Sequence, residues 1–299
     1  VMDWIQLSLQ TDQDKADFVS EVLTGLGSFS VAYLDAYDEP IFETSVEKTP
    51  LWKSVIINAL FVPDVNKAYI KSSLQELCGI EDLEYTTIKD RIWEDECKKD
   101  YHAMRFGKRL WICPSWESQT DLPDKAIVIN IDPGLAFGTG THQTTQLCLE
   151  YLDKYPPIGL QVIDFGSGTG VLAIAATKLG AKSVIAVDND LQAITATKQN
   201  LQKNECESIV KTRTTVNTKN SNVCDLLVAN ILANPLIELA PTFNKLLKQD
   251  GVLVLSGILK EQCENILNCY SQYLDNLEVL QQDEWCLVSG IKKTEIPVK

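Results

Sequence analysis

The chain has 299 residues, 45% hydrophobic and 23% charged, a balance that permits a packed core and argues against disorder. A formal net charge of -14 argues against a protein that grips nucleic acid through phosphates; it serves solubility and suits a cationic partner. Nine cysteines without a Cys-x-x-Cys pair, and two histidines, argue against a disulfide framework and against a metal site, so reduced thiols are expected.

The length exceeds one compact core, and two domains are expected. Trp4–Leu9 alternates as a half-buried strand. A helix capped by Thr11 or Asp12 follows, with Phe18, Val19, Val22 and Leu23 on one face and Gly25 and Gly27 as its stop. Phe29–Asp35 and Lys53–Val62 read as strands, Asp64 as the cap of a second helix ending at Gly79, and Leu83–Ile88 as a strand. The order βαββαβ predicts a ferredoxin-like α+β domain over residues 1–91. The charged stretch near Ile92–Phe106 lacks an apolar stripe. It reads either as a linker helix over residues 92–107 or as a surface helix of the first domain.

Strands and helices then alternate across residues 108–299. Arg109–Cys113 and Ala126–Ile131 are strand-like, and Thr144–Leu152 is helical. Val162–Phe165 is an apolar strand leading to a helix from Gly170 to Leu179. Ser183–Val187 is a strand and Asp190 caps the helix beyond it. Leu226–Ala229 and Val252–Leu255 are further strands, Glu261–Tyr273 is helical, and Glu278–Gln282 with Cys286–Lys292 form a hairpin. This pattern predicts an α/β doubly wound, mostly parallel sheet whose C-terminal hairpin supplies the antiparallel strand. In such sheets ligands bind beyond the carboxyl ends of the strands. No stretch approaches the ~20 apolar residues of a membrane helix, and the first residues lack a signal-peptide pattern, so a cytoplasmic protein is expected.

At the first of those strand ends the chain reads VIDFGSGTG, with Gly166, Gly168 and Gly170 at the turn from strand to helix. Glycines suit a sharp turn against which a ligand packs without a Cβ in the way. Asp188 ends the next strand, where a carboxylate can accept hydrogen bonds from both hydroxyls of a ribose. The third glycine of a dinucleotide site is replaced by Val171, and the acid Asp164 precedes the triplet. A carboxylate there repels a pyrophosphate and attracts a sulfonium or ammonium. The triplet therefore resembles the first motif of the class I S-adenosylmethionine methyltransferases, and NAD(P) is the alternative cofactor.

Asp132–Thr145 reads DPGLAFGTGTHQTT, a second glycine loop ahead of a helix, and the strand ending at Ala229 runs into Asn230 in DLLVANILANPL. With the N-terminal domain, these segments closely resemble the bacterial methyltransferases that modify protein eleven of the large ribosomal subunit. The resemblance spans essentially the whole chain, and AFGTGTH is its most specific part. It implies transfer of methyl groups from S-adenosylmethionine to amines of that basic ribosomal protein, up to trimethylation, with the N-terminal domain recognising substrate. It also implies that Thr145, Gly166, Asp188 and Asn230 are cofactor-binding positions.

The residues themselves support these roles. Thr145 offers a hydroxyl at a helix start, suited to the methionine end of the cofactor or simply to capping. Phe137, Gly138, Thr139 and Gly140 form a loop able to cover the cofactor, although Phe137 also suits a core. Asn230 stands where amine methyltransferases place Asn or Asp before Pro-Pro-aromatic, whereas here Ile231, Leu232 and Ala233 follow. Without an aromatic to stack a planar group, an aliphatic amine is the better target. His142 is a candidate general base or a local hydrogen-bonding loop residue. The competing functions are a small-molecule N-methyltransferase, an NAD(P)-dependent oxidoreductase and a non-catalytic RNA-binding module. No basic cluster supports the last of these, and direct nucleic-acid binding is not expected.

Overall fold

The computed structural model describes residues 3–37, 51–88, 101–117, 122–132, 140–216 and 221–294. The chain divides into two compact units, Val1–Glu96 and Cys97–Lys299. The first comprises β1 (Trp4–Asp12), α1 (Gln13–Gly25), β2 (Ser30–Asp35), β3 (Ser54–Phe61), α2 (Lys67–Cys78) and β4 (Glu84–Ile88). The strands lie in the order β2-β3-β1-β4 and every neighbouring pair is antiparallel, the ferredoxin-like arrangement. Alternation puts Ile5, Leu7 and Leu9 of β1 and Val55, Ile57, Ala59 and Phe61 of β3 on the face covered by the helices.

Three local expectations change. The buried stripe of α1 is Ala16, Val19 and Leu23, so Phe18 falls off that face and is 51% exposed. Phe29 precedes β2 and lies against Trp4, with ring centroids 5.0 Å apart. The cap of α2 is Asn66, whose side chain accepts from the Tyr69 amide, rather than Asp64. At its other end Gly79, at φ +70°, donates to the Gln75 carbonyl.

The second unit opens with β5 (Met104–Phe106), β6 (Leu110–Cys113) and β7 (Ile127–Asn130), a small sheet in that order. The expected helix over 92–107 is therefore wrong at its end. Residues 101–103 are irregular and Met104–Phe106 is a strand turned at Gly107, with Phe106 buried in the core. Residues 92–100 lie outside the described residues.

The main sheet contains β8 (Gln161–Phe165), β9 (Ser183–Val187), β10 (Val210–Arg213), β11 (Cys224–Asn230), β12 (Leu247–Leu259), β13 (Leu274–Gln282) and β14 (Trp285–Lys292). Its order is β10-β9-β8-β11-β12-β14-β13; β14 runs antiparallel to both neighbours and the other neighbouring pairs are parallel. The helices are α3 (Gln143–Lys154), α4 (Val171–Lys178), α5 (Leu191–Lys203), α6 (Ala233–Leu246) and α7 (Cys263–Tyr270), the last entered through a 3-10 turn at Lys260–Gln262. Separate apolar cores cover the two faces, one around Ile129, Leu149, Ile174 and Val184, the other around Ile163, Leu227, Phe243 and Tyr270. Strands buried on both sides explain the unbroken apolar run Leu226–Ala229. Strand order reverses at β8, between β9 and β11, which opens a crevice at the carboxyl ends of these strands.

Candidate functional site

The turn after β8 is built from three glycines in left-handed backbone, with φ of +79°, +53° and +80° at Gly166, Gly168 and Gly170. Side chains rarely adopt such values. The amides of Gly166 and Ser167 donate to the Val187 carbonyl at 2.8 and 2.9 Å, folding the turn against the end of β9. There Asp188 holds the same turn: Gly168 N donates to Oδ2 at 2.8 Å and Asp190 N to Oδ1 at 3.0 Å. Asp190 in turn caps α5 by accepting from the Gln192 amide, as its sequence position predicts.

The underside of the turn is held by α5. Thr197 Oγ1 donates to the Gly168 carbonyl at 2.9 Å and Asn200 Nδ2 to the Thr169 carbonyl at 2.9 Å. Asn204 exchanges two bonds with the Asn130 backbone, tying α5 to β7. Sequence reasoning missed these side chains. Their signal is a polar stripe, at positions 197, 200 and 204, on the buried face of an amphipathic helix.

Asp164 lies beneath the turn, 1% exposed. Its Oδ2 accepts from the Ala173 amide at 3.0 Å, and its Oδ1 has no protein partner. Burial pushes this carboxyl up to about 7, against the pull of the Ala173 N–H and with a further upward push from the charge of Asp188. Asp164 thus binds a proton in the folded chain at a pH where an unfolded carboxylate has lost it. Its effect on folding is unfavourable above about pH 7, and that penalty fades as pH falls toward the ordinary carboxylate range. Between those limits Asp164→Asn is expected to flatten the pH dependence of unfolding and to stabilise the ligand-free chain at pH 8. Thermal unfolding of both proteins from pH 5 to 8 measures this, and parallel curves would refute it.

Across β8, Asn230 ends β11 in register with Ser256 of β12. Its Nδ2 donates to Thr145 Oγ1 at 3.3 Å, and Thr145 is buried in the first turn of α3. Ile231 N donates to the Ser256 carbonyl, while Ser256 Oγ reaches the carbonyls of Thr144 and Cys286. A cavity of about 360 Å³ opens here, lined by His142, Thr144, Asn230, Ile231, Leu232, Gly257 and Trp285. Gly257 sits at φ +83°, and a Cβ on it would overlap the Ile231 carbonyl. Trp285 meets His142 edge to face at 4.8 Å between centroids.

His142 is the N-cap of α3. Its Nδ1 accepts from the Thr144 amide at 3.4 Å and lies 2.8 Å from Thr144 Oγ1. Acceptance at Nδ1 places the proton of the neutral ring on Nε2. Burial lowers the pKa of the ring, which favours this neutral form. Gly140, at φ +93°, is buried, and a Cβ there would overlap Ile112 Cδ1. Phe137, Gly138 and Thr139 lie outside the described residues. Asp132 accepts from the Ser115 amide and from Lys203 Nζ.

The sequence-derived candidates thus flank one strand end. Asp164 lies in β8, Gly168 is tied to Asp188 at the end of β9, Gly166 faces Ile231, and Asn230, bonded to Thr145, ends β11 beside the His142 cap. The sheet order, the single antiparallel strand and the glycine turn after β8 define a class I methyltransferase domain, here joined to a second, ferredoxin-like unit. The chain belongs to the family described as ribosomal protein L11 methyltransferase (PrmA), whose model matches residues 3–293. It is 43% identical over 297 residues to the ribosomal protein L11 methyltransferase of Shewanella amazonensis, a match covering 98% of this chain and all of that protein. The same enzyme of Shewanella sediminis is 45% identical over 296 residues, again 98% of this chain and all of the relative. Among solved structures, ribosomal protein L11 methylase from Lactobacillus delbrueckii subsp. bulgaricus matches with a TM-score of 0.60 and 34% identity, covering 65% of this chain and all of that one. Among the described residues no helix is long and apolar enough to cross a membrane.

Proposed function

We propose that this chain transfers methyl groups from S-adenosylmethionine to amino groups, on lysine side chains or an N-terminal α-amine, of protein eleven of the large ribosomal subunit. The observation that carries this reading is the largely apolar cavity lined in part by Asn230, set beside the glycine turn in a chain that matches its family along nearly its whole length. When bound, the cofactor supplies an electrophilic methyl group on a sulfonium.

Each remaining task belongs to a named residue. The backbone of Gly166, Gly168 and Gly170 gives close approach, Asp188 takes the ribose hydroxyls, and Thr145 the methionine end. Asp164, with one unsatisfied oxygen, favours a cationic ligand. The loop with Phe137, Gly138, Thr139 and Gly140 covers the cofactor. Asn230 aims the lone pair of the amine through its side-chain and backbone oxygens, so the main contribution of the protein is alignment. An amine with an ordinary pKa of about 10.4 must lose a proton first, and an apolar lining penalises its ammonium form. That proton leaves to water in this reading, because Nδ1 of His142 is engaged in the helix cap.

Residues 1–91 are assigned to substrate recognition and residues 108–299 to catalysis. The net charge of -14 supports a basic protein partner rather than RNA. The described cysteines are all free thiols, which supports a reducing, cytoplasmic setting. The test is to incubate the chain with methyl-labelled S-adenosylmethionine, a ribosomal protein extract and intact large subunits. Label is expected in one basic large-subunit protein, with mass gains in whole methyl increments on amino groups and faster transfer to free protein than to assembled subunits. Label confined to small molecules would overturn the substrate, and faster transfer to intact subunits would overturn the preference for free protein.

A further inference from the structure

A second cavity, of about 390 Å³, lies at the opposite end of the main sheet from Asn230. It is lined by Ser221, Asn222, Asn244, Lys245, Gln249, Lys292 and Lys293, with no carboxylate among them. In a chain with a net charge of -14 this is an unusual concentration of positive charge. Lys292, at the end of β14, is only 9% exposed. Its Nζ donates to the Leu247 carbonyl at 2.9 Å and approaches Asn222 Oδ1 at 3.5 Å, which leaves its third N–H without an acceptor among the described residues. Lys245 has neither an ion pair nor a side-chain hydrogen bond among the described residues, and its place in the last turn of α6 suits the carbonyl end of that helix. Lys293 bonds the Ser271 carbonyl at 2.7 Å and meets Asp275 at 3.9 Å. Asn244 and Gln249 add side-chain amides to the same lining.

Burying the Lys292 ammonium with one N–H unpaired is unfavourable unless an acceptor joins it, and the more exposed charges of Lys245 and Lys293 at the same cavity favour an anion in that place. The spare N–H donors of Lys245 and Lys292 are the complement of an oxyanion, while Asp275 meets Lys293 and bonds to neither of them. We propose that this cavity is a binding site for a small oxyanion of the phosphate class, either inorganic phosphate or the terminal phosphate of a monoester. Lys245 and Lys292 supply the charge, and Asn244 and Gln249 supply neutral donors. The site lies at the amino ends of β11 and β12, remote from the crevice at their carboxyl ends. Its occupancy is therefore independent of cofactor binding.

The experiment is calorimetric titration of the full chain at constant ionic strength, with chloride replaced stepwise by inorganic phosphate and, separately, by glycerol phosphate. Saturable one-to-one heat is expected from at least one of them; if only glycerol phosphate binds, the monoester is the natural source. Lys245→Ala, at an exposed position, is expected to weaken binding at least about tenfold while leaving methyl transfer unchanged. Lys292→Met is expected to abolish it, and Gln249→Ala, also exposed, gives an independent reading should Lys292→Met fail to fold. Saturating the chain with S-adenosylhomocysteine beforehand is expected to leave the phosphate heat in place. Absence of saturable heat, heat undiminished in Lys245→Ala, or heat lost on adding S-adenosylhomocysteine would each overturn the proposal. The last result would move the anion to the glycine turn.

Discussion

Gly257→Ala is expected to lower methyl-transfer turnover about 100-fold while leaving cofactor affinity within a few-fold of the parent. Gly257 follows Ser256, the residue in register with Asn230, and its Cβ would overlap the Ile231 carbonyl. The overlap is with backbone, so relief requires β11 and β12 to separate at the point where Asn230 leaves the sheet. Left-handed φ adds strain of about 1–2 kcal/mol for an L side chain, and the displaced strands bring the total loss of stability to roughly 3 kcal/mol. Gly159 provides the control. It has φ +74° and open space around its Cβ position, so Gly159→Ala carries the strain without the clash. Its melting temperature should fall modestly and its turnover should stay normal. The Ile231 side chain packs against Gly166, but the Gly168 bond to Asp188 that fixes the rest of the turn lies on the β9 side, so turnover should fall much further than cofactor affinity in Gly257→Ala. Equal turnover in the two variants would show that the end of β11 does not position the amine.

How much of this was legible in the sequence depends on whether the signal is local. Gly166, Gly168 and Gly170 are local: each is required by a positive φ at its own position, so their spacing announced the turn. Asp188 was legible because it ends a short apolar strand, and Asn230 because it ends an apolar run. The strand β10 (Val-Lys-Thr-Arg) was not read, since an edge strand paired only with β9 needs no apolar run. The helix α6 was missed because Pro235 and Pro241 fall within it; the first stands in its opening turn, where an amide has no partner to lose. Met104–Phe106 was assigned to a helix because charged neighbours hid a strand that only pairing with β6 reveals. Trp285 illustrates the nonlocal case. It opens β14, and antiparallel pairing with Leu259 carries it to the rim of the cavity, a placement that depends on register between distant segments. Asp164 was legible as an acid near the cofactor, but not as a carboxyl with a pKa near 7, because that depends on burial under a turn.

Asp188→Ala and His142→Asn together separate cofactor binding from proton transfer. In Asp188→Ala the Oδ2 that holds Gly168 of the glycine turn and the Oδ1 that holds the Asp190 amide are both lost, and with them the acceptors assigned to the two ribose hydroxyls. Hydrogen bonds to a charged acceptor contribute about 1.5–3 kcal/mol each, so losing two predicts a fall in cofactor affinity of at least about 100-fold. Asp190→Ala is the matched control. It removes the cap of α5, at a cost of about 1 kcal/mol in stability, and should leave affinity nearly unchanged. His142→Asn removes the imidazole while retaining a side-chain oxygen suited to capping α3, so the helix start should survive where alanine would weaken it. With proton loss to water, His142→Asn should keep most of its turnover and all of its cofactor affinity. The lowered pKa of the ring sharpens the reading. A neutral His142 acting as base would give the parent enzyme a pH–rate limb below the ordinary histidine value, and the asparagine variant would lose that limb. Turnover abolished in His142→Asn, with affinity intact and the acid limb gone, would transfer the base role to His142. An unchanged limb would leave alignment by Asn230 as the principal catalytic contribution of the chain.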